Sequence, residues 1–348
     1  MAKEQSYRLP LDSFQWKVFV VPDFRKNESL FVYKVHHSLA DGIANILFFN
    51  DMTDEPTMEG YPNLLVRLSF LQNVLIKISL PFYMNYLSLK MLICLPRANN
   101  GFKNDKVVAK LSSHKNVEFV PDINLDDIKK RAQDFSTPRM KVTINDVLMT
   151  VLSKSIRDYL REHTDDKTTT SVRLACPFSL RPPPKHLGDY TFDNNFAVIS
   201  MKLRLIDSLK DGLADINQDM LNLKKSFEPI GSYYLTKITN HLPEFMRRFA
   251  GEKLCSSITF GYSNVPGPKR PFVIAGKENN GIGFIMPVGF SIVGSFSIIS
   301  HMNVIKVIIT MDKAIMSAEK IIKEIFVRNM DEMLEGPAWQ EFHKKRND

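Results

Sequence analysis

Two adjacent histidines, followed by an acid and a glycine, form the stretch best suited to chemistry. His36 and His37 end an apolar alternating run that begins at Leu30, and Asp41 and Gly42 follow at a short distance. Because side chains alternate along a strand, only one imidazole can face a given side of a sheet. Histidine transfers protons readily near neutral pH. The pattern predicts an imidazole suited to proton transfer at the lip of a sheet, an acid that fixes the loop, and a glycine that permits a turn. The alternative is a histidine pair whose nitrogens bind backbone carbonyls.

The elements around this stretch are read from periodicity and turn residues. We predict strands over 14–21 and 29–37, a turn over 22–28 and a helix over 40–49. The most apolar segment, 64–95, is split by Pro81 and interrupted by Lys77, Asn85 and Lys90. It lacks the run of about 18 apolar residues expected of a spanning helix. Three interpretations stay open: a hairpin at a membrane interface, buried helices, and a spanning helix with charges near its ends.

A polar, turn-rich stretch, 98–110, is interpreted as a linker, after which a second lobe begins near residue 111. Its strongest helix, 143–160, opens with Thr143-Ile144-Asn145-Asp146, where Asn145 can cap the first amides. The other predicted helices are 124–135, 207–226, 230–250 and 313–334. The predicted strands are 111–121, 172–178, 196–205 and 256–262, with three or four more in 271–311. Pro266 and Gly267 predict a tight turn after 262.

Composition restricts the class of protein. The 348 residues are 44% hydrophobic and 24% charged, enough for two domains or one large two-lobed domain. The formal charge of +8 suits a phosphorylated ligand or an anionic membrane, whereas neither a basic arm nor zinc-finger spacing supports nucleic acid. Three distant cysteines, Cys94, Cys176 and Cys255, predict neither a disulfide framework nor a metal cluster, and they favour a reducing compartment. The polar N-terminus does not read as a signal peptide.

Several of these segments resemble one family. The His-His…Asp-Gly run resembles the HHxxxDG motif of the coenzyme-A-dependent acyltransferases. Residues 263–268 match, residue for residue, the Ser-Asn-Val-Pro-Gly-Pro segment of the wax ester synthase/diacylglycerol acyltransferase (WS/DGAT) branch. Three further segments are similar to motifs of that branch: Asn145-Asp146, 177–181 with its Pro-x-Ser-x-Arg pattern, and Asn194-Asn195, where the family has Gly-Asn. Residues 300–303 depart from the family's Ser-Tyr-x-Gly, so the lining of that part of the tunnel is expected to differ.

The resemblance implies an α/β fold, the two-lobed chloramphenicol-acetyltransferase-like fold of CoA-dependent acyltransferases. Family members carry a further stretch upstream, so the N-terminal lobe is expected to be incomplete. The implied division is a partial N-terminal lobe over 1–97, with the apolar segment 64–95, then the linker 98–110 and a C-terminal WS/DGAT lobe over 111–348.

The resemblance also implies the site. His37 would be the general base, His36 and Gly42 motif residues, and Asp41 a structural acid. Residues that would bind substrate or coenzyme A are Arg181, Asn145, Asp146, Asn195, Ser263 and Asn264. For Arg181, contact with a phosphate, an ion pair with Asp41 and a solvated strand end stay open.

The implied activity is transfer of a fatty acyl group from acyl-CoA to a long-chain alcohol or diacylglycerol, giving wax ester or triacylglycerol. Acyl-CoA is then a substrate, and neither a cofactor nor a metal is expected. The expected partners are acyl-CoA, the acceptor lipid and a membrane surface, at the cytosolic face of the endoplasmic reticulum. Two alternatives remain: a non-catalytic acyl-CoA- or lipid-binding protein, and a transferase that uses a small polar acceptor. Thiol release separates the first alternative, and acceptor length separates the second.

Overall fold

The computed structural model describes residues 7, 9–60, 70–89, 95–179, 181–182, 184–289, 291–315 and 317–335. Parts of the apolar segment 64–95, including Cys94, lie outside the described residues. Cys176 and Cys255 are free thiols. Among the described residues, no group of His, Cys, Asp or Glu side chains could hold a metal ion.

The chain begins with an antiparallel hairpin, β1 (Trp16–Arg25) and β2 (Glu28–Val35). The predicted turn over 22–28 is too long. Strand β1 continues past Pro22 through an irregularity between Val21 and Arg25, and Asn27 at the tip has a left-handed φ of 62°. Asparagine tolerates that conformation better than most residues do. Strand β2 ends at Val35, so both histidines lie beyond the strand that was predicted to contain them.

Two helices follow, α1 (Gly42–Asp51) and α2 (Phe70–Leu89). Pro81 lies inside α2, so the predicted break of the apolar segment at this proline is wrong. A proline removes one backbone hydrogen bond, and the rest of a helix can continue around it. Helix α2 packs against helix α7 (Glu228–Thr239), where the rings of Tyr83 and Phe227 lie 5.9 Å apart. In the part of the chain that is described, no helix is long and apolar enough to cross a membrane.

A seven-stranded mixed sheet organises the rest of the chain, in the order β3-β11-β10-β7-β5-β6, with β4 also paired to β11. Its strands are β3 (Lys115–Phe119), β4 (Ile123–Asn124), β5 (Ser171–Ser179), β6 (Phe196–Arg204), β7 (Phe260–Pro266), β10 (Gly294–His301) and β11 (Val304–Asp312). Strand β7 runs parallel to both neighbours, β5 and β10. A separate two-stranded piece joins β8 (Val273–Ile274) to β9 (Lys277–Glu278). The predicted tight turn starts too early, because β7 continues through Pro266.

The buried core lies between this sheet and helices that include α5 (Ile144–His163) and α9 (Ala318–Glu335). The other helices are α3 (Asp105–Val108), α4 (Leu125–Asp134), α6 (Leu209–Lys225) and α8 (Glu244–Ser257). The predicted helix over 230–250 is two helices, α7 and α8. Pro243 is the N-cap of the second one, and a proline at a helix start needs no hydrogen bond from its nitrogen.

The stretch interpreted as a linker is partly core. Phe102 is fully buried and stacks on Tyr159, with ring centroids 4.6 Å apart. Lys103 is 1% exposed, and its ammonium donates to the carbonyls of Cys255 and Ile258 at 2.7 and 2.5 Å. The Asn100 side chain accepts from the amides of Phe102 and Lys103. The turn residues of this stretch therefore serve to place an aromatic anchor and a buried lysine.

Candidate active site

The two histidines sit in a turn just after β2. The amide of His36 still donates to the Gln15 carbonyl at 2.8 Å, and its Nδ1 lies 2.7 Å from the Ser38 hydroxyl. The exposed His37 packs its ring against Phe196, with centroids 5.3 Å apart. Among the described residues, no hydrogen-bond partner contacts a ring nitrogen of His37. Of the two imidazoles, His37 is therefore the one with both ring nitrogens open to a ligand.

Asp41 is buried and fixes the loop that carries the two histidines, residues 36–41, which we call the histidine loop. It is 4% exposed, and its carboxylate accepts from the amide of Ala44 at 2.8 Å, which caps helix α1. The same carboxylate pairs with Arg181 at 3.1 Å and accepts from the amide of Asn195 at 2.9 Å. An acid with these contacts ties the end of the histidine loop to a segment more than 130 residues further along the chain.

Arg181 is buried and its terminal nitrogens are occupied by protein groups. One donates to the carbonyl and hydroxyl of Thr191, and the other donates to Asp41 and to the carboxylate and carbonyl of Asp193. Its side chain is only 4% exposed. Of the three interpretations of Arg181, this geometry supports the ion pair with Asp41, and the solvated strand end is excluded by the burial. The contact with a substrate phosphate stays a prediction that the contacts do not favour.

The segment 193–196 brings the C-terminal domain onto the histidine loop. The amide nitrogen of the Asn194 side chain donates to the carbonyl of His37 at 2.5 Å. The Asn195 side chain accepts from the hydroxyl of Tyr233 at 2.7 Å. Of Asn194, Asn195, Phe196 and Tyr233, only Asn195 was predicted as a site residue. A family motif pointed to Asn194-Asn195, whereas nothing local in the sequence singles out Phe196 or Tyr233.

Gly42 does not play the predicted turn role. It is the first residue of α1, and its φ lies outside the left-handed region that favours glycine. A Cβ atom there would meet only Val265 Cγ2, at 3.9 Å, which is an ordinary contact. The conformation of the loop therefore does not require glycine at this position.

Asn145 and Asp146 lie elsewhere. The N-cap of α5 is Thr143, so the prediction that Asn145 caps this helix is wrong. Thr143 and Asp146 form a capping box, with the Asp146 carboxylate also accepting from Asn217 at 2.9 Å. A threonine three residues before an acid is the signal that could have identified this box. The side-chain oxygen of Asn145 accepts from the hydroxyl of Tyr262 at 2.8 Å and from the side-chain amide of Asn264 at 3.1 Å.

Strand β7 separates the predicted binding residues. Its register with β10 is regular, so neighbouring residues face opposite sides of the sheet. Tyr262 and Asn264 face helix α5 through Asn145, whereas Ser263 and Val265 share the other face, where Val265 lies near Gly42. The structure therefore brings together His37, Asp41, Arg181 and Asn195, with Ser263 on their side of the sheet. Asn145, Asp146 and Asn264 lie on the other side.

Gly267 directly follows this strand, at a close approach of two backbones. A Cβ atom there would overlap the carbonyl oxygen of Ser300, and the Gly267 amide donates to the Ser300 hydroxyl at 3.3 Å. Residues 300–303 close the β10–β11 hairpin, with Met302 at a left-handed φ of 53°. The departure from the family pattern at 300–303 thus falls on a hairpin turn that packs on the Pro-Gly-Pro segment.

Comparison with known proteins agrees with this architecture. The wax ester synthase/diacylglycerol acyltransferase from Marinobacter aquaeolei VT8 has 15% identity and a TM-score of 0.58, covering 95% of this chain and 74% of that chain. The trichothecene 15-O-acetyltransferase TRI3 from Fusarium sporotrichioides has 10% identity and a TM-score of 0.56, covering 92% and 70%. The epimerization domain of tyrocidine synthetase B has 12% identity and a TM-score of 0.52, covering 90% and 70%.

These similarities define the fold as the one shared by acyltransferases and condensation-type domains, and they confirm the predicted fold class. The WS/DGAT C-terminal domain family matches residues 192–334. No curated protein sequence matches the chain. The WS/DGAT similarity inferred from the motifs is confirmed over residues 192–334, and the solved structures confirm the fold. The matched range begins just before the Asn194-Asn195 segment that contacts the histidine loop.

Proposed function

We propose that the protein is an O-acyltransferase that moves a fatty acyl group from acyl-CoA to a long-chain alcohol or to diacylglycerol. The observation that carries the proposal is the histidine loop itself. His37 is exposed with open ring nitrogens, and the buried Asp41 holds the loop through an ion pair with Arg181 and a hydrogen bond from the amide of Asn195, which lies in the matched WS/DGAT range. A loop fixed this firmly around one unengaged imidazole suits a positioned general base.

In the proposed reaction, His37 removes the proton from the acceptor hydroxyl as its oxygen attacks the thioester carbonyl. The carbon–sulfur bond then breaks, coenzyme A leaves as a thiolate, and the imidazolium returns its proton to that sulfur. A positioned base contributes on the order of 10²–10⁴ in rate. Alignment of two bound substrates supplies much of the remaining acceleration. The proposed donor is a substrate, so the reaction as written uses no further cofactor.

The test is transfer from labelled palmitoyl-CoA to hexadecanol and to diacylglycerol. His37→Ala should lose about 10²–10⁴ in turnover, the share that a general base supplies. His36→Ala is the matched control, since its Nδ1 is engaged by Ser38 and it should lose much less. Thermal melts of both variants exclude unfolding as the cause. A His37→Ala variant within a few-fold of the parent would remove His37 as the base. Binding of acyl-CoA without thiol release by the parent would favour the non-catalytic alternative.

We also propose that helix α2 attaches the protein to a membrane surface. Four apolar side chains recur three or four residues apart and are exposed: Ile78 (65%), Phe82 (78%), Tyr86 (55%) and Leu89 (57%). This spacing puts them on one face of the helix, while Tyr83 packs inward on Phe227. A one-sided apolar stripe in a chain of charge +8 suits an interfacial helix on an anionic bilayer. Attachment to the endoplasmic reticulum stays a prediction.

Liposome flotation tests this attachment. Phe82→Asp should reduce flotation with anionic liposomes, and high salt should weaken binding of the parent. Phe14→Asp is the matched control, because Phe14 is 79% exposed but lies in the segment before β1. Equal losses for both variants, or none for Phe82→Asp, would show that α2 is not the attachment site.

A further inference from the structure

Three successive residues, which we call the contact segment, meet the histidine loop. The side chain of Asn194 donates to the carbonyl of His37 at 2.5 Å, and the ring of Phe196 packs on the His37 ring. Between them, the backbone amide of Asn195 donates to the Asp41 carboxylate at 2.9 Å. Two of these three contacts reach His37 itself. A group that holds the contact segment in place therefore also holds the proposed base.

Helix α7 supplies such a group. The hydroxyl of Tyr233 on α7 donates to the side-chain oxygen of Asn195 at 2.7 Å. Among the described residues, this is the only hydrogen bond that the Asn195 side chain makes. Helix α7 also packs against β6, the strand that begins at Phe196. The Tyr233 hydroxyl therefore ties the contact segment to a helix through a side chain that the histidine loop does not use.

The side chain of Tyr233 is itself held in place. Lys237, one helical turn further along α7, places its ammonium 4.5 Å from the centre of the Tyr233 ring. The ring of Tyr234 lies edge-on to the same ring, with centroids 5.5 Å apart. Tyr233 is half-buried among these neighbours. Packing of this kind restricts the rotamer of a supporting residue, so its hydroxyl is presented to Asn195 in one place.

We propose that Tyr233 is a positioning residue for His37 and acts through Asn195. The inference rests on the proposed function, in which His37 is the general base. A catalytic group has to be held within about 0.5 Å of its productive position, and a displacement of about 1 Å can cost about 10²-fold in rate. Loss of the Tyr233 hydroxyl loosens the contact segment and so moves the imidazole. This role requires no contact between Tyr233 and either substrate.

The first test compares two phenylalanine variants on the same helix. Tyr233→Phe removes the hydroxyl and keeps the ring beside Lys237. It should lower kcat for transfer from palmitoyl-CoA to hexadecanol by about three- to tenfold, the range that one neutral hydrogen bond supplies. KM for both substrates should not change, because only the chemical step uses the base. Tyr234→Phe is the matched control, since the Tyr234 hydroxyl has no hydrogen-bond partner among the described residues.

Urea unfolding of both variants shows whether they are folded under the conditions of the assay. Equal kcat values for Tyr233→Phe and Tyr234→Phe would overturn the inference. A raised KM with unchanged kcat would also overturn it, because that result assigns the hydroxyl to substrate binding.

A second variant separates action through Asn195 from a general effect on the helix. Asn195→Ala removes the side chain but keeps the backbone amide that donates to Asp41. In this background Tyr233→Phe should cause no further loss of kcat, because the acceptor of its hydrogen bond is already absent. Loss by the same factor in both backgrounds would mean that Tyr233 does not act through Asn195, and the inference would be wrong.

Nuclear magnetic resonance reports the position of His37 without turnover. In protein with ¹³C-labelled histidine, the ring Cε1–H signal of His37 is identified by its loss in His37→Ala. This signal should shift in Tyr233→Phe and not in Tyr234→Phe, because the ring current of Phe196 acts on the nearby imidazole. An unmoved signal in Tyr233→Phe overturns the inference. If the signal shifts but the parent protein forms no ester, the positioning role is supported and the proposed function is refuted.

Discussion

Removal of the Asp41 carboxylate should destabilise the histidine loop strongly. Asp41 and Arg181 are 3.1 Å apart, with side chains 6% and 4% exposed, so water cannot replace either partner. Deleting one member of a buried pair typically costs about 3–5 kcal/mol, because the other charge stays buried without compensation. Loss of the helix cap on Ala44 accounts for about 1 kcal/mol of this. We therefore expect Asp41→Ala to lower the free energy of unfolding by about 3–5 kcal/mol.

A double-mutant cycle isolates the pair itself. Arg181→Met removes the cation but leaves the Asp41 carboxylate with the amides of Ala44 and Asn195. Asp41→Ala leaves Arg181 with Asp193, whose side chain is 53% exposed and is a weaker partner. The double variant should cost less than the sum of the single variants by about 0.5–3 kcal/mol, as contacting residues do.

Equilibrium urea unfolding measures these free energies, and hydrogen exchange of residues 36–51 reports the loop directly. Asp126→Ala is the control, because Asp126 pairs with Lys129 on the surface, where the two side chains are 64% and 48% exposed. Exposed pairs contribute about 0.2–1 kcal/mol. If Asp41→Ala costs no more than this control, or if the cycle is additive within about 0.5 kcal/mol, the ion pair does not fix the loop.

Two further predictions concern backbone space and a buried charge. Gly42→Ala should change the free energy of unfolding by less than about 1 kcal/mol, since helices accept alanine. Gly267→Ala should lower it by about 1–3 kcal/mol or more, because the added Cβ overlaps Ser300. Urea unfolding measures both variants. Burial lowers the pKa of Lys103 from 10.5 to about 8, so the unfolded chain binds more protons between these values. Stability from this group should therefore rise with pH from about 8 to 10.5, and the rise should be absent in Lys103→Met.

Two results would contradict these expectations. Equal costs for the two glycine variants would mean that the backbone contact at Ser300 adjusts easily. A Lys103→Met variant with the same pH dependence as the parent between pH 8 and 10.5 would assign the titration to another group. Each comparison uses a variant pair, so general effects of urea or of alkaline pH cancel.

The elements that periodicity predicts best are those whose apolar pattern meets the core directly. Helix α5 spans Ile144–His163 against a prediction of 143–160, and strands β5 and β6 agree with their predictions within one residue at each end. Helix boundaries predicted from proline positions were less reliable. Pro81 was predicted to break a helix that continues, and Pro243 begins a helix inside a predicted one. Proline restricts its own φ and removes one donor, but tertiary packing decides whether the helix resumes.

In the candidate site, contacts that are local in sequence could be predicted, whereas long-range contacts could not. The capping box of Thr143 and Asp146 is local, so the sequence contained its signal. The partners of Asp41 lie 140 and 154 positions away, at Arg181 and Asn195, and no local rule reports such contacts. Motif resemblance supplied both residues and left the ion pair of Arg181 with Asp41 as one of three interpretations, but it gave neither the contact of Asn195 nor the division of the predicted site by β7.

The choice of His37 over His36 rests on a different physical cause than strand alternation. Both residues lie beyond the end of β2, in a turn closed by the hydrogen bond from the Leu39 amide to the His36 carbonyl at 3.0 Å. Ser38 engages one imidazole, whereas Phe196 packs against the other. The direction of the His37 imidazole, the proposed base, is therefore set by the first residue of β6, a strand within the residues that match the WS/DGAT C-terminal domain. We expect a change at Phe196 to move the His37 imidazole without altering the motif, so the C-terminal domain forms part of the proposed active site.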